Sequence, residues 1–191
     1  VMTDGYNAYV FIGDELNVVD KSPNLNKAIH QVCLAHLKGK LEMACEQAGD
    51  VHAYPFLEGI RFYYRRERQY YEEGLTPEEI CKRRQDLESK EVLITLRQHL
   101  KIELDKDPSE ITPSLLKALN YLDKYWDNLF AFLNDGSLPI DNNLAERVIR
   151  PLTTQRNAML HFGSDEGAEM AATYHSIIST VKMQGRSAWE Y

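Results

Sequence analysis

Residues 51–135 constrain the fold of this chain most strongly, because their sequence pattern is helical almost throughout. Thr76–Glu79 (TPEE) predicts a helix start, with threonine as the N-cap, proline at the first helical position and glutamate at the third. Thr112-Pro113 gives the same signal ahead of a long apolar stripe. We expect one long amphipathic helix there, whose core face carries Leu115, Leu116, Leu119, Leu122, Tyr125, Trp126, Leu129, Phe132 and Leu133.

The segment that precedes this helical tract has mixed α/β patterns. Val1–Thr3 has the pattern of a strand end, Asp4-Gly5 that of a turn, and Tyr6–Val10 that of the start of a short helix or loop. Ile29–Leu34 is a short apolar run with β-branched members, which is typical of a buried strand. A helical pattern follows over residues 35–48. The sequence therefore predicts an α/β fold that is mostly helical.

Composition narrows the class of protein. A length of 191 residues with 43% hydrophobic and 27% charged residues is ordinary for a globular protein with a real core. There is neither an apolar run of about 18 residues nor a signal peptide pattern, so we expect no membrane span. Cys33, Cys45 and Cys81 form no CxxC pair, which indicates free thiols in a reducing cytoplasm. The net charge of −7 disfavours a general nucleic-acid coat protein, so DNA contacts need local patches or further parts of the protein.

Asp141–Pro151, which reads DNNLAERVIRP, is the stretch most informative about function. Asp141 or Asn142 can cap a helix, since either side chain accepts a hydrogen bond from the free amides of a first turn. One face of that helix is apolar, and we expect it to pack; its residues are Leu144, Ala145, Val148 and Ile149. The opposite face presents Glu146. A solvated pair of Glu146 with Arg150, at i, i+4, is the alternative to a functional role.

Pro151 is expected to end this helix, because proline removes a backbone donor and constrains the residue before it. We expect Leu152–Gly163 to be irregular or extended. A last helix over Gly167–Met183 follows, opened by Ser164–Glu166 and closed by Gly185 as the C′ residue.

Asp4 is the second carboxylate of interest. It follows a strand end and precedes a glycine, at the position where open α/β sheets place ligand-binding groups. A simple Asp-Gly turn explains the same residues. Together with Glu146, Asp4 can hold a divalent cation such as Mg²⁺, which binds a few carboxylate oxygens and keeps several waters. Such a site generally needs a third carboxylate, and spacing alone identifies none.

Cys33 and His36, in the sequence CLAH, are a possible start of a zinc site. Two ligands without a second pair at a standard spacing are weak evidence for zinc. A buried cysteine at the strand end and a histidine that caps or packs at the helix start are favoured instead.

Two groups of arginines are candidates for binding nucleic acid. The first interleaves arginine with tyrosine on one helix, which can hold phosphates and stack on bases: Arg61, Arg65, Arg66, Arg68, Tyr63, Tyr64, Tyr70 and Tyr71. Neighbouring glutamates dilute its charge, so a solvated helix face is favoured. The second group is Arg147, Arg150 and Arg156, beside Glu146. There a DNA-binding role is favoured, because a DNA backbone that approaches a metal-bound carboxylate needs neighbouring cations.

The order of the motifs along the chain resembles that of the insertion-sequence 66 transposases. The motifs are TDGY (Thr3–Tyr6), CLAH (Cys33–His36), LNDGSLPIDNNLAERVIRP (Leu133–Pro151), HFGSDEGAEMAA (His161–Ala172) and VKMQGRSAWEY (Val181–Tyr191). The resemblance implies a DDE-type enzyme with a ribonuclease H-like core that is interrupted by a helical insertion. Residues 1–50 then belong to a partial core, 51–135 to the insertion, and 136–191 to the catalytic helix and the C-terminal helix of the core.

The same resemblance implies roles for particular residues. Asp4 matches the second aspartate of the catalytic triad and Glu146 its closing glutamate, both as ligands of Mg²⁺ or Mn²⁺. The implied reaction is cleavage of transposon-end DNA and strand transfer into target DNA. It implies a homo-oligomer assembled on DNA, in a bacterial cytoplasm and without a membrane partner.

The chain begins at Val1 without an initiator methionine, and we expect it to be a fragment of a longer polypeptide. The resemblance implies that the first aspartate of the triad lies upstream of Val1. We therefore expect the 191 residues alone to be inactive. The alternative to a transposase is a non-catalytic helical interaction module or a degenerate transposase remnant.

Overall fold

The computed structural model describes residues 1–5 and 29–189, which are mostly helical. The chain consists of two compact units, Val1–Asn142 and Asn143–Tyr191. The prediction of a short helix or loop at Tyr6–Val10 lies outside the described residues. Among the helices of the described part, none combines the length and the apolar composition that a membrane span needs. Cys33, Cys45 and Cys81 are free thiols, as predicted.

Two short parallel strands begin the first unit. Strand β1 (Met2–Thr3) pairs with β2 (Gln31–Val32), so that Met2 lies opposite Gln31 and Thr3 opposite Val32. The predicted strands are therefore present, but β2 is shorter than predicted because Cys33 already serves as the N-cap residue of the next helix.

From Leu34 to Asn134 the described chain is mostly helical, as the sequence pattern predicts. Its α-helices are α1 (Leu34–Glu42), α2 (Tyr54–Glu72), α3 (Pro77–Arg84), α4 (Leu87–Leu104), α5 (Pro113–Lys124) and α6 (Trp126–Leu129). A π-helical turn, Met43–Gln47, extends α1, and 3₁₀ turns lie at Val51–Ala53, Pro108–Glu110 and Ala131–Asn134. Helix α1 packs on α5, and α2 packs on α1 and α4. The buried leucines and most of the buried aromatic residues of these helices form one continuous core.

Both predicted helix starts are confirmed. The Thr76 hydroxyl accepts a hydrogen bond from the Glu79 amide at 3.4 Å, and the Glu79 carboxylate accepts one from the Thr76 amide at 2.8 Å. Thr112 caps α5 by accepting from the Leu115 amide at 3.2 Å. Its hydroxyl also donates to the buried Asp50 carboxylate at 2.8 Å, so this cap joins two segments of the core.

The prediction of one long helix after Thr112 is wrong, because the backbone leaves the helix at Tyr125 and again at Phe130. In a continuous helix, residues 130 and 132 would point about 200° apart, and only one of them could face the core. The break buries both Phe130 and Phe132. Their ring centroids lie 5.9 and 5.8 Å from that of Tyr63 on α2.

The second unit is a pair of helices, α7 (Asn143–Met159) and α8 (Asp165–Met183). The prediction that Pro151 ends its helix is wrong, and Leu152–Met159 is helical rather than extended. A proline removes only one amide donor, and helical residues on both sides keep the remaining bonds. The Thr153 hydroxyl also donates to the Arg150 carbonyl at 2.9 Å.

The prediction that the apolar stripe of α7 is packed is also wrong. Leu144 is 60% exposed and Ile149 is 54% exposed, whereas Glu146 is half-buried. Within its unit α7 packs against α8. A pair of helices can cover only the faces that the two helices turn towards each other, so the apolar stripe of α7 stays exposed to solvent.

The predicted limits of α8 are confirmed. The Ser164 hydroxyl accepts from the Gly167 amide at 3.1 Å at the N-terminus of the helix. At the other end Gly185 has φ +70°. The Gly185 amide donates to the Lys182 carbonyl at 3.0 Å, and the Arg186 amide donates to the Val181 carbonyl at 3.1 Å. These two bonds form a Schellman motif, for which glycine at C′ is the preferred residue.

Candidate functional site

The carboxyl ends of β1 and β2 lie at one edge of the small sheet, because the two strands are parallel. Asp4 follows β1 at this edge, with its side chain exposed, and Cys33 follows β2. Such an edge is where open α/β sheets hold ligands. The structure thus places Asp4 in the position that the sequence predicts.

Two tyrosines hold the backbone of the turn at Asp4. The Tyr121 hydroxyl of α5 donates to the Asp4 carbonyl at 2.8 Å. The Tyr125 hydroxyl, from the residue that ends α5, donates to the Gly5 carbonyl at 2.7 Å. Gly5 has φ +78°, a conformation that favours glycine. Sequence reasoning missed Tyr121, whose only signal is its i, i+4 spacing to Tyr125.

A buried polar pair lies behind the turn. The Thr3 hydroxyl and His30 Nε2 are 2.8 Å apart, and the Gly5 amide donates to the same Thr3 oxygen at 3.2 Å. Asn128 Nδ2 donates to the His30 carbonyl at 2.8 Å, which connects the helical region to the residue before β2. Burial lowers the pKa of His30 below its ordinary value.

The beginning of the DNNLAERVIRP motif and the two residues before it contact the junction between β2 and α1. Gln31 Nε2 donates to the Pro139 carbonyl at 2.7 Å, and the Leu34 amide donates to the Ile140 carbonyl at 3.3 Å. Ile140 is buried in the core. The chain that leads into the motif is therefore fixed beside the sheet.

Asp141 and Asn142 are held at the same junction. The Tyr64 hydroxyl donates to Asp141 Oδ2 at 3.0 Å. Burial, and after it the charge of Asp141, raises the pKa of Tyr64 well above its ordinary range, so its hydroxyl stays a donor. The Asn142 amide donates to Cys33 Sγ at 3.5 Å. These contacts hold the beginning of the motif beside the start of α1.

Cys33 is fully buried, and burial raises the pKa of its thiol. Its sulfur accepts the Asn142 amide, which agrees with the favoured interpretation of a packed cysteine. Within residues 1–5 and 29–189, no three side chains of His, Cys, Asp or Glu come together as a metal-binding group. The zinc hypothesis for Cys33 and His36 gains no support from this arrangement.

Arginines of α2 form ion pairs with neighbouring carboxylates. Arg61 Nη1 lies 3.0 Å from Glu58 Oε1, and Arg66 pairs with Asp86 and, at 2.7 Å, with Glu88. Their charge is thus compensated inside the helical region, which agrees with a structural role for this face of α2.

Glu146 lies in the first turn of α7, where the helix dipole favours a carboxylate. Arg150 lies about 40° from Glu146 around the helix axis, and Arg147 lies about 100° away on the same side. Arg156 lies about 80° away on the other side, since α7 continues through Pro151. All three arginines are exposed. Asp4 belongs to the first unit and Glu146 to the second, so their pairing at one metal ion stays a prediction.

Comparison with known proteins identifies the family. Residues 1–170 match the family described as "Transposase IS66 family". The chain is similar to "Uncharacterized protein y4jD" of Sinorhizobium fredii (strain NBRC 101917 / NGR234), with 30% identity over 185 residues, or 97% of this chain and 34% of that protein. It is also similar to "Uncharacterized protein y4qI" of the same bacterium, with 39% identity over 69 residues, or 36% of this chain and 13% of that protein. No solved structure matches the chain.

The chain therefore belongs to the IS66 family of transposases, which confirms the family resemblance of its motifs. Nearly all of this chain matches y4jD, but the chain spans only about a third of the length of y4jD.

Proposed function

We propose that this chain is part of the catalytic domain of a DDE-type transposase, which cleaves transposon-end DNA and joins it to target DNA. The single observation that carries the proposal is the family match over residues 1–170. The position of Asp4 at the carboxyl edge of two parallel strands supports it, because ligand-binding groups are typical of that edge. The activity belongs to the longer protein in this proposal.

The proposed architecture is a ribonuclease H-like core that is interrupted by helices. Residues 1–50 contribute two parallel strands and α1 to this core. Residues 51–135 are the helical insertion, and 136–191 supply the catalytic helix and the last helix. The order of elements supports this division, since helices α2–α6 separate the sheet from α7.

Asp4 and Glu146 are the proposed ligands of Mg²⁺ or Mn²⁺. Their donor chemistry fits a hard divalent cation, which prefers carboxylate oxygen, and the exposed Asp4 side chain is accessible to an ion and its waters. When bound, divalent cations activate the attacking oxygen and stabilise the leaving oxygen in phosphoryl transfer. The task of this chain is to orient the two carboxylates and to hold the DNA for in-line attack.

Arg147, Arg150 and Arg156 are the proposed contacts to the DNA backbone. Their exposure on α7 supports this role, because phosphate contacts need accessible cations. They also supply local positive charge in a chain whose net charge is −7. We further propose that the longer protein assembles as a homo-oligomer on transposon-end and target DNA in the cytoplasm.

The test of the catalytic assignment is cleavage of transposon-end DNA by the full-length protein. Asp4→Asn and Glu146→Gln are each expected to lower the cleavage rate by about 100-fold or more, because each removes a charged ligand. Glu78→Gln is the matched control, since Glu78 is an exposed glutamate in the first turn of α3. Undiminished cleavage by Glu146→Gln would defeat its assignment.

The DNA contacts are tested separately by the dependence of binding on salt. Replacing one phosphate-contacting arginine by glutamine reduces the slope of log K against log salt by about 1. Arg147→Gln, Arg150→Gln and Arg156→Gln are expected to do so, whereas Arg97→Gln in the helical insertion keeps the wild-type slope. Identical slopes for all four variants would remove the three arginines from the DNA interface.

The alternative of a degenerate remnant makes a different prediction. An active protein has a strand-like run that ends in aspartate upstream of Val1, and a remnant lacks it. That the 191 residues alone are inactive also stays a prediction. Cleavage of transposon-end DNA by the purified chain in Mg²⁺ would contradict it.

A further inference from the structure

We infer that Tyr121 and Tyr125 are positioning residues for Asp4, through which the helical insertion fixes the orientation of a metal-binding carboxylate. The inference rests on the proposed function, since it deepens the role of the same site. It assigns the insertion a part in building the metal site.

The geometry that carries the inference is a pair of adjacent hydrogen bonds. Tyr121 and Tyr125 are one helical turn apart, and their hydroxyls donate to the consecutive carbonyls of Asp4 and Gly5 at 2.8 and 2.7 Å. Each carbonyl defines the orientation of a planar peptide unit. The peptide unit before Asp4 is held through the Thr3 carbonyl, which accepts from the Cys33 amide at 2.8 Å. Tyr121 holds the unit after Asp4, and Tyr125 holds the next one, after Gly5. The backbone of Asp4 therefore has little freedom, and the direction of its Cα–Cβ bond depends on Tyr121, with Tyr125 keeping Gly5 in place.

Gly5 fits closely against the same tyrosine. A Cβ atom built on Gly5 would lie 2.9 Å from the Tyr121 hydroxyl and 3.0 Å from the Tyr121 ring. The turn is therefore in van der Waals contact with α5 as well as hydrogen-bonded to it. On the other side, the Gly5 amide donates to Thr3, so the turn is held from two directions.

The tyrosines are themselves held in place. Their ring centroids lie 5.1 Å apart in an edge-to-face arrangement. Lys40 Nζ lies 5.0 Å from the centroid of Tyr121, and Lys124 Nζ lies 4.7 Å from that of Tyr125.

A carboxylate held in this way needs less reorganisation when it binds a metal ion. Groups that orient a metal ligand without touching the ion typically contribute about 10–100-fold to affinity or activity. Asp4 is exposed and lies at the end of a strand of two residues, so its own strand holds only the peptide unit before it. The hydroxyls from α5 supply the missing constraint.

The experiment measures DNA cleavage by the full-length protein as a function of Mg²⁺ concentration. Tyr121→Phe and Tyr125→Phe each remove one oxygen and keep the ring. Each is expected to raise the Mg²⁺ concentration for half-maximal cleavage by about 3-fold or more, and the double variant by about 10-fold or more. Saturating Mg²⁺ or Mn²⁺ restores part of the rate. Direct titration with Mn²⁺ is expected to show the same loss of affinity.

Tyr63→Phe is the matched control. The Tyr63 hydroxyl also donates to a backbone carbonyl, that of Ser89 at 2.9 Å, and it is buried inside the same unit. Its loss is expected to lower the melting temperature as much as Tyr121→Phe does. The Mg²⁺ midpoint stays at the wild-type value, because Ser89 is no part of the proposed site.

The outcomes separate this inference from the proposed function. If Asp4→Asn cleaves like the wild type, the proposed function fails. A second outcome is that Asp4→Asn is inactive while Tyr121→Phe and Tyr125→Phe keep the wild-type Mg²⁺ midpoint and Mn²⁺ affinity. The positioning role is then overturned and the proposed function stands. An equal shift of the midpoint in Tyr63→Phe would also overturn the positioning role, since the effect would then be general destabilisation.

Discussion

Arg84 forms a two-pronged ion pair with Glu67 inside the first unit, with Nε 2.8 Å from one carboxylate oxygen and Nη2 2.7 Å from the other. Arg84 is only 3% exposed. The remaining donors of its guanidinium bind backbone carbonyls, at 2.7–3.0 Å; these belong to Phe132, Asp135 and Leu138. A buried arginine with all of its donors used holds the segment that leads from the helical region into the DNNLAERVIRP motif.

Arg84→Met is therefore expected to destabilise the protein by about 3–5 kcal/mol, because it leaves the Glu67 carboxylate and three carbonyls without their donor. Arg97→Met is the matched control. Arg97 also pairs with a carboxylate, that of Asp123 at 2.9 Å, but both side chains are about half exposed. Its loss is expected to cost about 1 kcal/mol or less. Urea unfolding of both variants measures the difference, and equal losses would contradict the assignment of Arg84.

Gly136, in the same segment, is expected to tolerate no side chain. A Cβ atom there would lie 1.8 Å from the Pro77 carbonyl oxygen at the start of α3. Gly136→Ala must therefore displace backbone, at a cost of about 1–3 kcal/mol or more. Gly39→Ala is the control, since a Cβ on Gly39 in the middle of α1 meets nothing within 4 Å.

Thermal unfolding distinguishes the two glycine substitutions by the direction of their effects. Gly39→Ala is expected to stabilise the protein by about 0.5–1 kcal/mol, because alanine loses less backbone entropy in a helix. A melting temperature for Gly136→Ala at or above that of the wild type would show that the loop at Gly136 can move away from α3.

Those parts of the fold that depend on neighbouring residues were predictable from the sequence. The caps at Thr76, Thr112 and Ser164 are bonds to an amide three residues later, so a short window contains both partners. The break at Tyr125 was not predictable in this way. It allows Phe130 and Phe132 to reach Tyr63, which lies on another helix far away in the sequence.

The candidate site also combines residues that a short stretch of sequence indicates with residues that only the fold brings to it. Asp4 and Glu146 are candidates because of a strand end, a helix start and the motifs around them, and their role stays a prediction. The support of Asp4 by Tyr121 was not, because the two residues are 117 positions apart. A partly buried tyrosine beside the leucine and alanine face of a helix gives no local sign of the backbone carbonyl to which it donates.

Acidification below neutral pH is expected to destabilise the first unit through His30. Burial lowers the pKa of His30 below its ordinary value of 6.5, so the unfolded chain takes up a proton more readily than the folded protein. The contribution of His30 to stability is fully present above the unfolded pKa and is lost as the pH falls from there towards the folded pKa. The free energy of unfolding should therefore decrease between about pH 7.5 and pH 5.5.

His30→Gln tests this origin, since glutamine places a nitrogen near Nε2 and does not titrate. The variant is expected to lose part of the pH dependence below about pH 6.5, while the two proteins run parallel above about pH 7.5. Urea unfolding at several pH values measures both slopes. The same decrease in both proteins would assign the pH dependence to other groups.

Leu160 is expected to be a site where glycine stabilises the second unit. It lies in the turn between α7 and α8 with φ +65°, a left-handed conformation that costs a leucine about 1 kcal/mol, and its side chain is 84% exposed. Leu160→Gly removes this cost with little loss of packing. Leu160→Ala is the control, because alanine removes the side chain and retains the backbone penalty. Hydrogen exchange of the amides at the end of α7 is expected to slow by about 3–5-fold in the glycine variant and to stay unchanged in the alanine variant. An equal slowing in both would mean that removing the exposed leucine, rather than relieving the backbone, stabilises the turn.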